Sequence, residues 1–266
     1  MKYITSLLCL ATVPFASGAT VFLDTFADDD RTVDPAWFII GAPAAVDINQ
    51  ADGVLSLGRT QSNSHTYLAS NWSGTSLAVG DALAFAFRVK LTGNQGNRNN
   101  EIMFTIGNNN GTVPTADGQN VFADDFGYVV ALGSGTGTGS IQRDAGTDNW
   151  LGRFPGIDHT QITDFSSALA ITGSFQTYTL TLTRTGAGLD IELSNGTTTI
   201  TTSDTNVPAE AFYTFNTVTF GYYNRNTANF VDVDFFEVTY SPIPEPSAYA
   251  ALFGLLALAC ARYRRR

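Results

Sequence analysis

The feature that most constrains the fold is the alternation of large apolar residues with small or polar ones between Asp81 and Leu91. In an extended chain, every second side chain points to the same side. Five apolar side chains therefore share one face: Leu83, Phe85, Phe87, Val89 and Leu91. A helix, with about 3.6 residues per turn, would scatter them around its axis. The segment predicts a long β-strand with one face in a hydrophobic core.

Other segments show the same two-residue period or are rich in valine, threonine and aromatic residues, which favours strands. They span residues 54–57, 101–106, 128–132, 178–182, 189–193, 197–201, 218–222 and 231–240. Glycine-containing turn sequences separate them, and Asn195-Gly196 predicts the tip of a β-hairpin. The pattern predicts one short helix, over residues 160–169. The body is therefore predicted to be all-β, a two-sheet antiparallel sandwich of the jelly-roll type.

The first 19 residues have the composition of a secretory signal peptide. Lys2 precedes an apolar run over residues 3–13, and small residues end the segment. We expect export through the Sec translocon and cleavage by signal peptidase after Ala19. Cys9 would leave with this segment, so Cys260 would be the only cysteine of the mature chain, which excludes an intramolecular disulfide.

Residues 242–266 consist of a proline-rich linker, an apolar segment and an arginine cluster, in that order. Prolines keep the linker extended. Residues 247–263 predict a short transmembrane helix. Four arginines close the chain and predict that the C terminus stays inside: Arg262, Arg264, Arg265 and Arg266. The chain is therefore predicted to consist of three parts: a signal peptide (1–19), a sandwich domain (20–241) and a C-terminal tail (242–266).

Pro244, Glu245 and Pro246, followed by an Ala- and Leu-rich helix and a terminal run of arginines, resemble the PEP-CTERM sorting signal of Gram-negative bacteria. This resemblance implies that exosortase, a membrane-embedded cysteine peptidase, reads the tripeptide and removes the hydrophobic tail. It further implies export across the inner membrane and transient anchorage in the membrane. The final location would be the cell surface or the extracellular space.

The body also resembles a family at its two ends. The opening residues 21–37, the strand over 52–57 and the closing residues 230–238 are similar to the corresponding parts of concanavalin A-like lectin/glucanase domains. This resemblance implies that the first and last strands are neighbours. A galactose-binding-like sandwich, or another carbohydrate-module sandwich, remains an alternative. Because such folds carry lectins, glycanases, lyases and inert modules, the fold does not define the function.

The charge of the chain excludes one class of partner. Residues 20–261 contain nine basic and 24 acidic residues, a net charge of −15. Binding to a nucleic acid depends on cationic side chains that displace the counterions of the phosphates. We therefore expect no nucleic-acid partner.

The sequence contains no catalytic carboxylate motif of the glucanase type. The resemblance to glucanases implies two catalytic acids on one strand, in the pattern Glu-x-Asp-x-Glu or a near variant. None of the four glutamates of the body begins such a motif. Asp190 and Glu192 share a strand face and are the nearest candidates. His65 and Tyr67 occupy alternate positions of a predicted strand and so share one face, which keeps a polysaccharide lyase as an alternative. We predict that the protein is not an enzyme, with a glycoside hydrolase or polysaccharide lyase as the alternative.

Acidic residues near the first and last strands suggest calcium. Asp24, Asp28 and Asp30 lie in or after the first strand, and Asp232 and Asp234 lie in the last. Carboxylate oxygens are the ligands that calcium prefers. If the two strands pair, these groups would repel one another unless a cation intervened. The alternative is an acidic loop in water.

Aromatic residues among polar ones suggest a sugar-binding site, since a flat ring packs on a sugar and polar neighbours orient it. The candidates are Trp150 in a polar loop and the strand end formed by Tyr222, Tyr223, Asn224 and Arg225. Trp72 is a third candidate, and Trp37 is expected in the core. We predict a surface or extracellular-matrix protein whose sandwich binds carbohydrate or is structural, with extracellular polysaccharide as a candidate partner.

Overall fold

The computed structural model describes residues 18–40, 46–59, 65–93, 98–119, 125–144, 159–223 and 230–243, together with residues 257, 258, 260, 262 and 263 of the tail. The strands of the described body lie in two antiparallel sheets. Sheet A contains β1 (Ala19–Asp24), β3 (Val46–Ala51), β4 (Val54–Arg59), β6 (Ala82–Thr92), β11 (Gln176–Arg184), β12 (Leu189–Ser194), β13 (Thr199–Asp204) and β15 (Phe230–Ser241). Sheet B contains β2 (Phe38–Ile40), β5 (His65–Ser76), β7 (Arg98–Asn108), β8 (Phe126–Ser134), β9 (Gly139–Asp144), β10 (His159–Phe165) and β14 (Thr214–Tyr223).

The first and last strands of the described body are neighbours in sheet A. The strand order is β13-β12-β11-β6-β15-β4-β3, and β1 pairs with the part of β15 that β4 leaves free. The predicted pairing of the first and last strands is thus confirmed. In sheet B the order is β10-β9-β8-β7-β14-β5-β2.

The core fills the space between the two sheets with aromatic rings. Phe87 of sheet A stacks on Phe104 of sheet B with ring centroids 3.9 Å apart. Trp37, fully buried as expected, packs against Phe236 and Phe220 at 4.8 and 5.7 Å. The alternation that predicted β6 is the alternation of buried and more exposed residues along that strand. The predicted two-sheet sandwich is therefore confirmed.

The predicted helix over residues 160–169 is wrong. Residues 159–165 form β10, which pairs with β9, and a single 3₁₀ turn over Ser167–Leu169 follows. Threonine and isoleucine prefer extended backbone when a neighbouring strand is available. The hairpin predicted at Asn195-Gly196 is confirmed between β12 and β13, with Gly196 at a φ of +81°.

A buried ion pair joins the two sheets at one end of the sandwich. The Nη1 atom of Arg143 on β9 lies 2.6 Å from Oδ2 of Asp204 on β13. Tyr128 of β8 donates its hydroxyl to the same carboxylate at 3.0 Å. Burial, followed by the adjacent Asp204 carboxylate, raises the pKa of Tyr128 well above its ordinary value, so the phenol stays a donor. These polar groups attach the edge of sheet A to sheet B.

Candidate functional site

The outward side of sheet A, which we call the sheet-A face, carries small and polar side chains in regular rows. One row runs across the strands from Thr201 through Glu192, Thr181 and Ala84 to Thr239, and the adjoining row runs from Ser203 through Asp190, Thr183 and Ala82 to Ser241. Neighbouring strands lie about 4.8 Å apart and successive outward residues about 6.8 Å apart, which sets the spacing of the rows. The described residues of these two rows include no lysine or arginine.

A shallow depression of about 480 Å³ opens on the sheet-A face across β11, β12 and β13. Its lining residues are Thr181, Thr183, Asp190, Ile191, Glu192, Thr201, Thr202 and Ser203. Asp190 and Glu192 are exposed to solvent, and Ser203 donates its hydroxyl to Oδ1 of Asp190 at 2.7 Å. The depression therefore offers two carboxylates and several hydroxyls to a ligand from solution.

The outward side of sheet B, the sheet-B face, is different because the described residues at its centre are buried. An apolar patch covers its centre: Ile40, Tyr67, Ala69, Met103, Val129 and Ala131. The ring of Tyr67 lies over Gly221 of β14, where a Cβ would overlap it. A bulkier residue at position 221 would displace this ring, so the patch depends on the glycine.

A polar row borders the apolar patch on β9 and β10. Gln142 donates from Nε2 to the hydroxyl of Ser140 at 2.8 Å, and its Oε1 lies 3.2 Å from Nδ1 of His159. Nε2 of His159 lies 3.6 Å from Oδ2 of Asp144. The side chains of both His159 and Asp144 are fully buried. Strand β10 places this histidine on the buried side of the sheet.

The centre of the sheet-B face does not present a carboxylate pair in its described part. The alternate outward positions hold Met103 and Thr105 on β7 and Val129 and Ala131 on β8. A retaining glycosidase requires two carboxyl groups about 5 Å apart. These four residues cannot supply them. Asp190 and Glu192, the nearest candidates in the sequence, lie instead on the opposite side of the sandwich.

The five predicted calcium ligands do not form one site. Asp24 faces the core, where its carboxylate accepts Nε1–H of Trp37 at 2.6 Å and the N–H of Phe26 at 2.7 Å. Burial raises the pKa of Asp24 despite these bonds, which disfavours the charged form that calcium needs. Asp232 and Asp234 face outward from the same sheet and pair with Lys90 at 3.5 Å and Arg88 at 2.9 Å.

The remaining two predicted calcium ligands, Asp28 and Asp30, accept hydrogen bonds within their own loop. Asp28 accepts the N–H of Asp30 at 3.1 Å, and Asp30 accepts the hydroxyl and the N–H of Thr32. The side-chain bond from Thr32 lowers the pKa of Asp30. Within the described residues, no group of three or more acidic, histidine or cysteine side chains is placed to hold a metal ion. The like-charge repulsion expected between the two strands is relieved by the opposite orientation of Asp24 and by the basic partners of Asp232 and Asp234, so these five residues do not meet at one site. Calcium binding itself stays a prediction.

The predicted aromatic site cannot be placed. Trp150, Asn224 and Arg225 lie outside the described residues, and of Tyr222 and Tyr223 only the backbone is described, at the end of β14. Trp72 is described: it is half-buried and packs on Phe22 at 5.8 Å, so it is not a free platform. The site at Trp150 and Tyr223 stays a prediction.

Most of the predicted sorting tail lies outside the described residues, including Pro244, Glu245, Pro246 and the last three arginines. The described residues 257, 258, 260, 262 and 263 of the tail are helical, whereas residues 242 and 243 are not. Within the described part of the chain, we find no helix with the length and hydrophobicity that a membrane crossing requires. Ala19, the predicted cleavage position, begins β1 opposite Tyr240. The sorting signal and the signal peptide remain predictions.

Solved structures with the same fold include lectins and a glucanase. The chain is 12% identical to peanut lectin bound to a 9mer peptide, with a TM-score of 0.50, covering 86% of this chain and 100% of the lectin. The carbohydrate recognition domain of Emp46p is 11% identical, with a TM-score of 0.52, and the match covers 87% of this chain and 100% of that domain. Endo-1,3-beta-glucanase from Streptomyces sioyaensis is 14% identical, with a TM-score of 0.53, and the match covers 87% of this chain and 99% of the glucanase. No protein-family model and no curated protein matches the sequence. These likenesses show a concanavalin A-like fold.

Proposed function

We propose that the protein is an exported, non-catalytic carbohydrate-binding protein of a bacterial cell surface or extracellular matrix, and that the depression on the sheet-A face is its sugar-binding site. The observation that carries this proposal is the depression itself, where carboxylates and hydroxyls lie open to solvent on a lectin-like sandwich. At the centre of the sheet-B face, the described side chains are buried and are not open to a ligand from solution.

The lining of the depression suits sugar hydroxyls. The carboxylates of Asp190 and Glu192 accept hydrogen bonds, while the hydroxyls of Thr181 and Thr201 both donate and accept. A volume of about 480 Å³ falls in the range of small-molecule sites. The two carboxylates would repel an acidic sugar, whereas an amine-bearing sugar would gain a charge-assisted hydrogen bond. The ligand class is therefore a neutral or amine-bearing glycan.

A carbohydrate-active enzyme is the alternative, and the same two carboxylates would be its acid and nucleophile. Asp190 and Glu192 are exposed, whereas the general acid of a glycosidase is normally kept protonated by a buried setting. The glucanase likeness leaves this alternative open at the level of the fold. A turnover assay on the same polysaccharides decides between binding and hydrolysis.

The binding test uses two oligosaccharides with one backbone: β-1,4-linked glucosamine, which is cationic, and its N-acetylated form, which is neutral. An oligomer of uronic acid is the anionic control. We expect binding of the cationic or neutral oligomer, no binding of the anionic one, and no cleavage. Asp190→Asn and Glu192→Gln should each weaken binding about tenfold, which corresponds to one lost charge-assisted bond.

The matched control is Asp47→Asn, which neutralises another exposed carboxylate of sheet A on β3. It should leave binding unchanged. Trp150→Ala and Tyr223→Ala test the aromatic site, and loss of binding in these variants alone would move the sugar site there. Repeating the titration with EDTA tests the calcium prediction, since weaker binding after metal removal would show that a metal ion supports the site. Absence of binding to any glycan would favour a purely structural matrix protein.

The export part of the proposal is supported by the signal-peptide composition of residues 1–19 and by the proline, helix and arginine order of residues 242–266. Deletion of residues 242–266 should abolish membrane retention and the size change that processing causes. The measurement is fractionation of the producing cell with an antibody to the sandwich. An unchanged size and location would contradict the sorting proposal and leave the sugar-binding proposal intact.

A further inference from the structure

Asp81 lies in the turn before β6 and binds the point at which the chain leaves the sandwich. Its Oδ1 accepts the main-chain N–H of Ile243 at 2.9 Å, and its Oδ2 accepts the hydroxyl of Tyr240 at 2.6 Å. The N–H of Ala78 donates to the same Oδ2 at 2.9 Å. Asp81 is 5% exposed. One buried carboxylate thus joins the start of β6 to the end of β15 and to the residues that follow.

The side chain of Ile243 is held as well as its main chain. Gly80 has a φ of +95°, a conformation that other residues rarely adopt, and a Cβ built there would overlap Cδ1 of Ile243. The isoleucine therefore occupies a space that only glycine leaves open. Half of its surface remains exposed, so it caps this corner without entering the core.

The turn that carries Asp81 is fixed to sheet A. The N–H of Gly80 donates to the carbonyl of Arg184 at 2.6 Å, and the N–H of Arg184 donates to the carbonyl of Asp81 at 2.9 Å. The last ladder pair of β15 joins Ser241 to Ala82. Pro242 has no N–H to donate. The N–H of Ile243 is therefore the first main-chain donor after the strand, and Asp81 accepts it.

We propose that Asp81, Tyr240 and Gly80 form a latch that closes the sandwich at Ile243 and confines proteolytic processing to the bonds after it. A protease acts on exposed, extended segments and reaches a folded one only when it opens. A residue whose N–H and side chain are both bound to the body is closed to such an enzyme. The role in processing rests on the proposed removal of the tail, because Pro244 follows directly.

Limited proteolysis of the full chain tests the latch. A post-proline endopeptidase can cut after Pro242, Pro244 and Pro246, and the intact mass of the body fragment shows which bond was cut. We expect cleavage after Pro244 and Pro246, and cleavage after Pro242 at least about tenfold more slowly, because that bond opens only when the latch does.

Asp81→Ala removes the carboxylate and Ile243→Ala removes the apolar anchor. Each variant should raise the rate of cleavage after Pro242 about tenfold relative to cleavage after Pro246. The matched control is Glu237→Gln, since Glu237 also lies on β15 but accepts a bond from Thr20. If Asp81→Ala does not fold, Tyr240→Phe removes one bond of the latch and should show a smaller increase in the same direction.

Two results would overturn the latch: equal cleavage after Pro242 and Pro246 in the unaltered protein, or unchanged cleavage after Pro242 in the folded variants. The proteolysis uses an added enzyme and does not depend on export. A producing cell that leaves the tail in place would therefore contradict the sorting proposal without changing the proteolysis result.

Discussion

The two outward faces of the sandwich differ in exposure although both are built from alternating strands. On the sheet-A face, Asp190, Glu192 and Thr201 are exposed to solvent. On the sheet-B face, Thr105 and Gln142 are at most 1% exposed. Polar residues thus serve two purposes in one fold. Those that line the depression of sheet A are open to solvent, whereas Gln142 of sheet B donates to Ser140 and lies 3.2 Å from His159 inside the protein.

The largest expected contrast comes from placing the same charge on each face. Val129→Lys puts an unpaired ammonium on the buried centre of the sheet-B face and should lower the free energy of unfolding by about 5 kcal/mol, or prevent folding. Thr181→Lys places the ammonium opposite Glu192 on the sheet-A face and should change the free energy of unfolding by no more than about 0.5 kcal/mol. Denaturant titration of both variants measures the difference. Equal losses would contradict the contrast.

A second contrast concerns ion pairs. Arg143→Met leaves the Asp204 side chain buried between the sheets without its cationic partner, and should lower the free energy of unfolding by about 3–4 kcal/mol. Arg88→Met breaks the pair with Asp234 on the sheet-A face, where the arginine side chain is 46% exposed, and should cost no more than about 1 kcal/mol. Thermal and denaturant unfolding at neutral pH provide the comparison. A loss of less than about 1 kcal/mol for Arg143→Met would show that the sheets do not depend on this pair.

A third contrast compares single polar side chains. Gln142→Ala removes the partner of Ser140 and His159 in the buried row, and should lower the free energy of unfolding by about 2 kcal/mol. Ser203→Ala removes an exposed hydroxyl that donates to Asp190, and should cost about 0.5 kcal/mol or less. The same titrations measure both. A larger loss for Ser203→Ala than for Gln142→Ala would reverse the assignment of buried and open faces.

The smallest effect concerns the pH dependence of Asp81, in the turn before β6. Burial of Asp81 raises its pKa, but the bonds from Tyr240, Ile243 and Ala78 outweigh burial and hold its pKa below the ordinary 3.8. The ionised form is therefore the one that stabilises the fold. Its contribution is complete above pH 3.8 and declines as the pH falls through the lowered pKa. The difference in free energy of unfolding between the unaltered protein and Asp81→Asn should shrink below pH 3.8, and an increase there would contradict the assignment.

The sequence alone predicted the sandwich because the signal was periodic and long. The alternation in β6 and the Asn195-Gly196 turn each correspond directly to an element of the structure. The helix prediction was wrong for residues 159–165 because their local pattern is short and pairing with β9 decides their conformation. Pairing of this kind involves residues distant in sequence, which a local pattern does not contain.

The candidate site was only partly predictable. The sequence placed Asp190 and Glu192 on one strand face, but it did not show that the threonines of β11 and β13 lie on either side of them. The signal was present as threonines at every second position from Thr177 to Thr183, which we interpreted only as a preference for strands. The sequence could not show that the predicted calcium ligands are separated, because strand pairing does not fix which side of the sheet Asp24 and Asp232 face.

The most direct test of the central claim is calorimetric titration of the glucosamine oligomers, cationic and N-acetylated, into the unaltered protein and Glu192→Gln, with products analysed for cleavage. We predict binding without cleavage, and about tenfold weaker binding by Glu192→Gln. Cleavage of an oligomer would identify an enzyme. Binding that is equal in the two proteins would place the sugar site outside the depression and contradict the account.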